Sequence, residues 1–285
     1  MKRVLTKALA CLSLSLSLLV LLSCESDPAP TSLASKQILD ESYGGDRRQT
    51  MDVYLPAGRS ADQTPLLVYI HGGAWMDGDK SEFLQVKPLV EKEFPDFAFV
   101  SLNYRLFDYV TQSNGIAKQE QDINSAFAHI QSQLVDWNIS YDLVIVGASA
   151  GGHLALLHAF KNNSSDLKAV AALFPPTDLS ELYGFNNITA LALNSLLGGP
   201  PETIPSIYHD LSPINFVDPQ DVPTILFHGD TDPVVPISQS QLLQAVLQSN
   251  DVRHQFVPVE GQGHGFTSET YAGVIGQVRD FIGEF

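Results

Sequence analysis

Cysteine, cationic charge and long apolar runs are all scarce in this chain of 285 residues. Its two cysteines, Cys11 and Cys24, are too few to staple so long a chain into a disulfide scaffold. Only 16 Lys and Arg stand against 32 Asp and Glu, a formal charge of −16. That balance excludes nucleic acid as a partner, because binding a phosphate backbone needs clustered cations to release counterions. The most apolar stretch, Ala8 to Ser23, is interrupted by serines and falls short of the roughly 20 residues that span a bilayer. Internal repeats are missing too. Charged residues make up 17% against 44% hydrophobic, which describes a core-forming chain and not a disordered one.

What is present begins with an address. Lys2, Arg3 and Lys7 form a basic start, the apolar run follows, and it ends in Leu21-Leu22-Ser23-Cys24. This resembles a bacterial lipobox, which implies that residues 1–23 are a signal peptide and that Cys24 becomes the lipidated first residue. Residues 24–41, rich in Ser, Pro and Ala at their start, are expected to be a flexible tether, with the folded domain over 42–285. An acidic chain avoids anionic headgroups, so membrane attachment is expected to rest on the lipid alone. The expected location is the bacterial cell envelope, on the periplasmic face or the cell surface.

Beyond the tether, short apolar runs alternate with helical patterns. Strands are expected at Met51–Leu55, Pro65–Ile70, Phe97–Leu102, Leu143–Val146, Leu167–Leu173, Thr224–Phe227 and His254–Val259. Helices are expected at Gln121–Trp137, Gly152–Lys161, Gln239–Gln248 and Tyr271–Phe285. Strands apolar on both faces and separated by helices define an α/β domain with a mostly parallel sheet. One interval, 178–222, holds Gly198-Gly199-Pro200-Pro201 and no clear strand. A connection that long is usually functional, and a lid or pocket wall is expected there.

The residues that carry chemistry fall at the strand ends. Gly147-Ala148-Ser149-Ala150-Gly151 follows an apolar strand and opens a helix, the context in which G-x-S-x-G forms a nucleophile elbow. A serine hydroxyl needs a base to take its proton. His264, flanked by Gly263 and Gly265 after the last strand, is the expected base. His153, four residues after Ser149 on the elbow helix, is expected to pack or hydrogen-bond instead. Asp232 in Asp230-Thr231-Asp232-Pro233 is the expected orienting acid, with Asp230 holding the turn. The backbone N–H of Ala150 and those of Gly73 and Ala74, in His71-Gly72-Gly73-Ala74-Trp75, are the expected oxyanion donors. His71 is expected to brace that loop. Trp75, Tyr104 and Phe266 are candidates to line the pocket.

Six motifs in order then resemble the α/β-hydrolase esterase/lipase family: His71–Trp75, Asn103-Tyr104-Arg105-Leu106, the elbow, Pro176-Thr177-Asp178-Leu179, His228–Asp232 and Gly263–Phe266. The resemblance runs from about Ser42 to the C-terminus and is strongest to the branch with acetyl-xylan and feruloyl esterases. It implies catalytic Ser149, Asp232 and His264, no cofactor or metal, and ester hydrolysis through an acyl-enzyme. The implied partner is a small-molecule or oligosaccharide ester. Ala74 departs from the pattern, adding a methyl where related lipases carry a third glycine. The short chain before Met51 leaves little for an N-terminal cap, so an open site is expected. Two other readings stand beside this one: an arylformamidase-like or prolyl-oligopeptidase-like amidase, and a non-catalytic binding lipoprotein.

Overall fold

A computed structural model describes residues 33–283. The expected signal peptide, Cys24 and the first part of the expected tether lie outside the described residues. Eight strands form one sheet in the order β1-β2-β4-β3-β5-β6-β7-β8. They are β1 (Lys36–Ser42), β2 (Thr50–Leu55), β3 (Leu66–Ile70), β4 (Ala98–Leu102), β5 (Leu143–Ala148), β6 (Leu167–Leu173), β7 (Thr224–Gly229) and β8 (His254–Val259). The six strands from β4 to β8 in that order are mutually parallel, and β2 runs antiparallel to both of its neighbours.

The alternation along each strand sorts side chains into two cores. Leu66, Val68 and Ile70 of β3 join one cluster, while Leu67 and Tyr69 join the other. The first core is closed by α2 (Ile116–Trp137), α3 (Ala150–Lys161) and α7 (Ser238–Ser249), through residues such as Ile123, Leu154 and Leu243. The second is closed by α1 (Phe83–Glu93) and α8 (Ser268–Ile282), through Phe83, Val90, Val274 and Val278. Both faces of the sheet are therefore covered, which is why its strands read as nearly continuous apolar runs.

Three expectations change here. The tether expected over 24–41 does not hold for its last residues, because Lys36–Ser42 is the edge strand β1, paired antiparallel with β2. Its side chains are mostly exposed, with only Ile38 and Glu41 half-buried, so no apolar stripe announces it. Backbone pairing holds it, together with Lys80, which bridges Asp40 and the buried Asp52. Helix α1 was not expected, since Pro88 lies inside it and breaks the helical pattern. The interval 178–222 contains α4 (Leu179–Phe185), α5 (Asn187–Leu197), α6 (Pro205–Asp210) and a 3₁₀ turn at Pro213–Phe216. Asn186 and Thr189 cap the start of α5 reciprocally, and left-handed Gly198 (φ 90°) ends it.

The same interval ends on Asp221, a buried carboxylate just before β7. One oxygen accepts from the Asp218 amide at 2.7 Å and the other has no partner. Burial, reinforced by the neighbouring Asp218 charge, pushes its carboxyl up to about 6. Between the ordinary carboxylate range and that value, the folded chain binds more protons than the unfolded one. Stability is therefore lost as pH rises through this window. We expect Asp221→Asn to raise Tm by a few degrees at pH 7.5, with the advantage gone at pH 4. Thermal melts across that range check it, and an equal shift at both pH values would refute the account.

Candidate active site

Ser149 occupies the single residue between β5 and α3, with φ 53° and ψ −121°. This left-handed conformation is strained for a residue with a Cβ and occurs where the surroundings enforce it. The enforcement is visible: the Ser149 amide donates to Leu173 O at 2.8 Å, and Ser149 O accepts from the His153 amide at 2.9 Å. The elbow also needs glycine at 151, where a Cβ would lie 2.1 Å from Ile70 O. Close packing of α3 against β3 excludes any side chain there.

The three expected catalytic side chains meet. Ser149 Oγ lies 2.8 Å from His264 Nε2, and His264 Nδ1 lies 2.7 Å from Asp232 Oδ2. A carboxylate only accepts, so Nδ1 carries the proton and Nε2 is free to accept from the serine. Asp232 Oδ1 accepts from the amides of Val234 and Val235 at 2.8 and 3.0 Å. Burial pushes the Asp232 carboxyl up, but hydrogen bonds from His228, His264 and the Val234 amide outweigh it. The net effect holds the carboxyl well below the usual range. Asp230 serves the turn, accepting from the Gly261 amide at 2.8 Å.

The loop after β3 supplies the remaining geometry. Gly73, Ala74 and Trp75 are all left-handed, at φ 105°, 52° and 63°. Glycine is required at 73, where a Cβ would come within 2.1 Å of Asp77 O. Gly73 O accepts from the amides of Met76 and Asp77, both at 2.9 Å, which closes the turn. Among the described residues, the amides of Gly73, Ala74 and Ala150 donate to no protein acceptor, and Gly73 and Ala74 line the cleft at Ser149. Such free amides suit an anionic oxygen.

His71 and His153 do the bracing work expected of them. Buried His71 donates from Nδ1 to Gly72 O at 2.7 Å and receives Arg48 at 3.3 Å on Nε2. His153 donates from Nε2 to Leu211 O at 2.7 Å and accepts from the Trp75 indole at 3.3 Å. Burial lowers both imidazoles to about 4, so both stay neutral.

The aromatic pocket residues require correction. Trp75 is buried in the core against His153, because its left-handed backbone turns the ring inward. Tyr104 is fully buried, stacks on His71 at 4.4 Å, and donates to His71 O. Phe266 packs edge-on against Phe174 at 5.1 Å, one layer behind the cleft. The cleft, of about 550 Å³, is lined instead by Tyr69, Met76, Phe174, Val234 and Tyr271 around the triad and loop. Residues 178–222 contribute none of its lining. They pack beside the site, where Leu211 O fixes His153.

Sequence reasoning also missed two supporting residues. His228 lies 3.4 Å from Asp232 Oδ2 and is held by Val235 O and Ser240. Its place in His228-Gly229-Asp230 was visible, but its side-chain direction was not. Arg48 reaches Asp79, Gly78 O, Tyr104 O and His71 at once, tying the loop after β3 to that after β4.

A mostly parallel sheet with a Ser–His–Asp constellation at its strand ends defines an α/β-hydrolase. The BD-FAE family model matches residues 51–247, and the chain belongs to that family. It is 29% identical over 240 residues to esterase LipQ of Mycobacterium tuberculosis (strain ATCC 25618 / H37Rv), covering 78% of this chain and 55% of LipQ. It is 30% identical over 128 residues to the kynurenine formamidase of Danio rerio, covering 43% and 39% of the two chains. The chain thus spans about half, or less, of the length of these curated relatives. A solved structure described as a truncated form of carbohydrate esterase from gut microbiota superposes with a TM-score of 0.75 at 25% identity. That likeness covers 91% of this chain and 99% of the other.

Proposed function

We propose that the chain is a serine carboxylesterase that works through an acyl-enzyme on short-chain or aryl esters borne by a carbohydrate. The unbroken relay from Ser149 through His264 to Asp232, at the floor of an open cleft, carries this reading. His264 Nε2 takes the serine proton as Oγ attacks the ester carbonyl carbon. The oxygen that becomes anionic is met by the amides of Gly73, Ala74 and Ala150. Collapse of the tetrahedral intermediate breaks the bond to the alcohol, which leaves with the proton from Nε2. Water, deprotonated by the same nitrogen, then releases the acid and restores Ser149. Asp232 holds the imidazole in the one tautomer that serves both halves.

The carbohydrate half of the proposal draws support from the likeness to the gut-microbiota carbohydrate esterase and from a cleft that, among the described residues, is open enough to admit a bulky alcohol. Acetyl and feruloyl groups are the acyl types implied by the sequence resemblance. Display at the bacterial envelope through lipidated Cys24 fits an enzyme that meets polymeric substrate outside the cell. The likeness to kynurenine formamidase favours formamide hydrolysis as the second reading. A panel of acetylated and feruloylated oligosaccharides, aryl esters and N-formylkynurenine separates the two. We expect kcat/KM on an oligosaccharide ester to exceed that on N-formylkynurenine by about tenfold or more. The reverse order would replace the esterase reading with the formamidase one.

A further inference from the structure

Beside the cleft lies a second space, a chamber of about 210 Å³ on the sheet face covered by α1 and α8. Its walls include buried Leu67, Phe83, Val90, Leu173, Val274 and Val278. It shares Tyr69, Glu82, Ala148 and Tyr271 with the cleft above Ser149. Ala148 immediately precedes the serine, and Val146, two residues earlier on the same face of β5, also lines the chamber. The space therefore adjoins the cleft one residue from the nucleophile and follows the sheet away from it.

We propose that this chamber is the acyl pocket, and that it takes the apolar tail of an acyl group of about six carbons or one unsubstituted phenyl ring. The proposal rests on the ester-hydrolysis reading above. Size supports it, since an apolar cavity of about 150 Å³ is enough to hold benzene. The identity of the occupant follows from the reaction. The alcohol must leave, and as part of a carbohydrate polymer it needs the open side. The acyl group stays bonded to Ser149 between the two halves of the cycle and suits a recessed apolar space. Chemistry narrows the tail further. The polar side chains Tyr69, Glu82 and Tyr271 belong to the part shared with the cleft, and the other polar lining residue, Gln85, is exposed. The deep wall is Leu, Val and Phe, which give a phenolic hydroxyl or methoxy oxygen nothing to bond, so burying one there is unfavourable. A void of this size also forfeits packing energy when empty, and an apolar tail recovers it.

The test compares p-nitrophenyl acetate with p-nitrophenyl hexanoate, and methyl 3-phenylpropanoate with methyl ferulate, on the full chain. Val274→Phe fills the chamber from α8 and Val86→Phe fills it from α1. Wild type is expected to favour hexanoate over acetate, and phenylpropanoate over ferulate, by about tenfold in kcat/KM, the scale of apolar-pocket discrimination. In both variants the hexanoate-to-acetate ratio should fall by about tenfold or more. Equal loss on both esters in both variants, or a wild type indifferent to the tail, overturns the pocket while leaving esterase activity standing. Failure of the underlying reading looks different: wild type would turn over none of the four esters, and the acyl pocket would go with it.

Discussion

Replacing Ser149 by alanine should lower kcat on p-nitrophenyl acetate by on the order of 10⁶-fold with no fall in Tm. The size follows from the role. Without the hydroxyl there is no atom to carry the acyl group, and the free amides of Gly73, Ala74 and Ala150 can only assist attack by water. The neutrality of Tm follows from the backbone. Ser149 sits at φ 53° whatever its side chain, and alanine meets the same strain, held by the same bonds to Leu173 and His153. The side chain's hydrogen bond is to His264, which is itself partly exposed at the cleft. Activity measured beside a melting curve separates the two effects. A rate near that of wild type would remove Ser149 from the mechanism.

The second large effect belongs to Asp232→Asn, for which we expect a loss of about 10⁴-fold in kcat with little change in KM. The amides of Val234 and Val235 both point at Oδ1 and require an acceptor there. An asparagine therefore keeps its oxygen at that position and turns its NH₂ toward His264 Nδ1, where the carboxylate now accepts at 2.7 Å. The imidazole answers by moving its proton to Nε2, which then faces the serine as a donor and cannot take the serine proton. The residue change is nearly isosteric, so the cleft and its substrate contacts persist. The kcat-against-KM split is the informative readout, because simple loosening of the loop would raise KM as well. A variant within tenfold of wild-type kcat would show that the tautomer is fixed by something else.

Chemistry was more legible in the sequence than shape. Ser149, His264 and Asp232 could be read because each lies in a short loop directly after an apolar strand, and parallel strands deliver such loops to one end of a sheet. The donors could be read for the same reason, since glycines beside a strand end mark a backbone that must approach something closely. The cleft wall could not. Trp75 and Tyr104 lie within motifs, yet one faces the core and the other stacks on His71. Phe174 has no motif around it, yet φ 39° and its amide bond to Phe227 O bring its ring within 4.8 Å of the His264 ring centre. Side-chain direction in irregular backbone is set by torsions that composition does not encode. β1 was hidden for another reason: an edge strand held by backbone pairing leaves no apolar period to detect.

That edge strand bears on how many copies can be crowded together without sticking. A free strand edge is a template for another chain's backbone, the first step toward fibrous association. Here the register with β2 slips between Ile38 and Glu41, and Asp40 adopts φ 56° at the slip, anchored by Lys80. The irregular rim, studded with Lys36, Asp40 and Glu41, offers no flat ladder for a second copy to extend. At high concentration this edge would then resist being extended, strand by strand, by the backbone of a second copy.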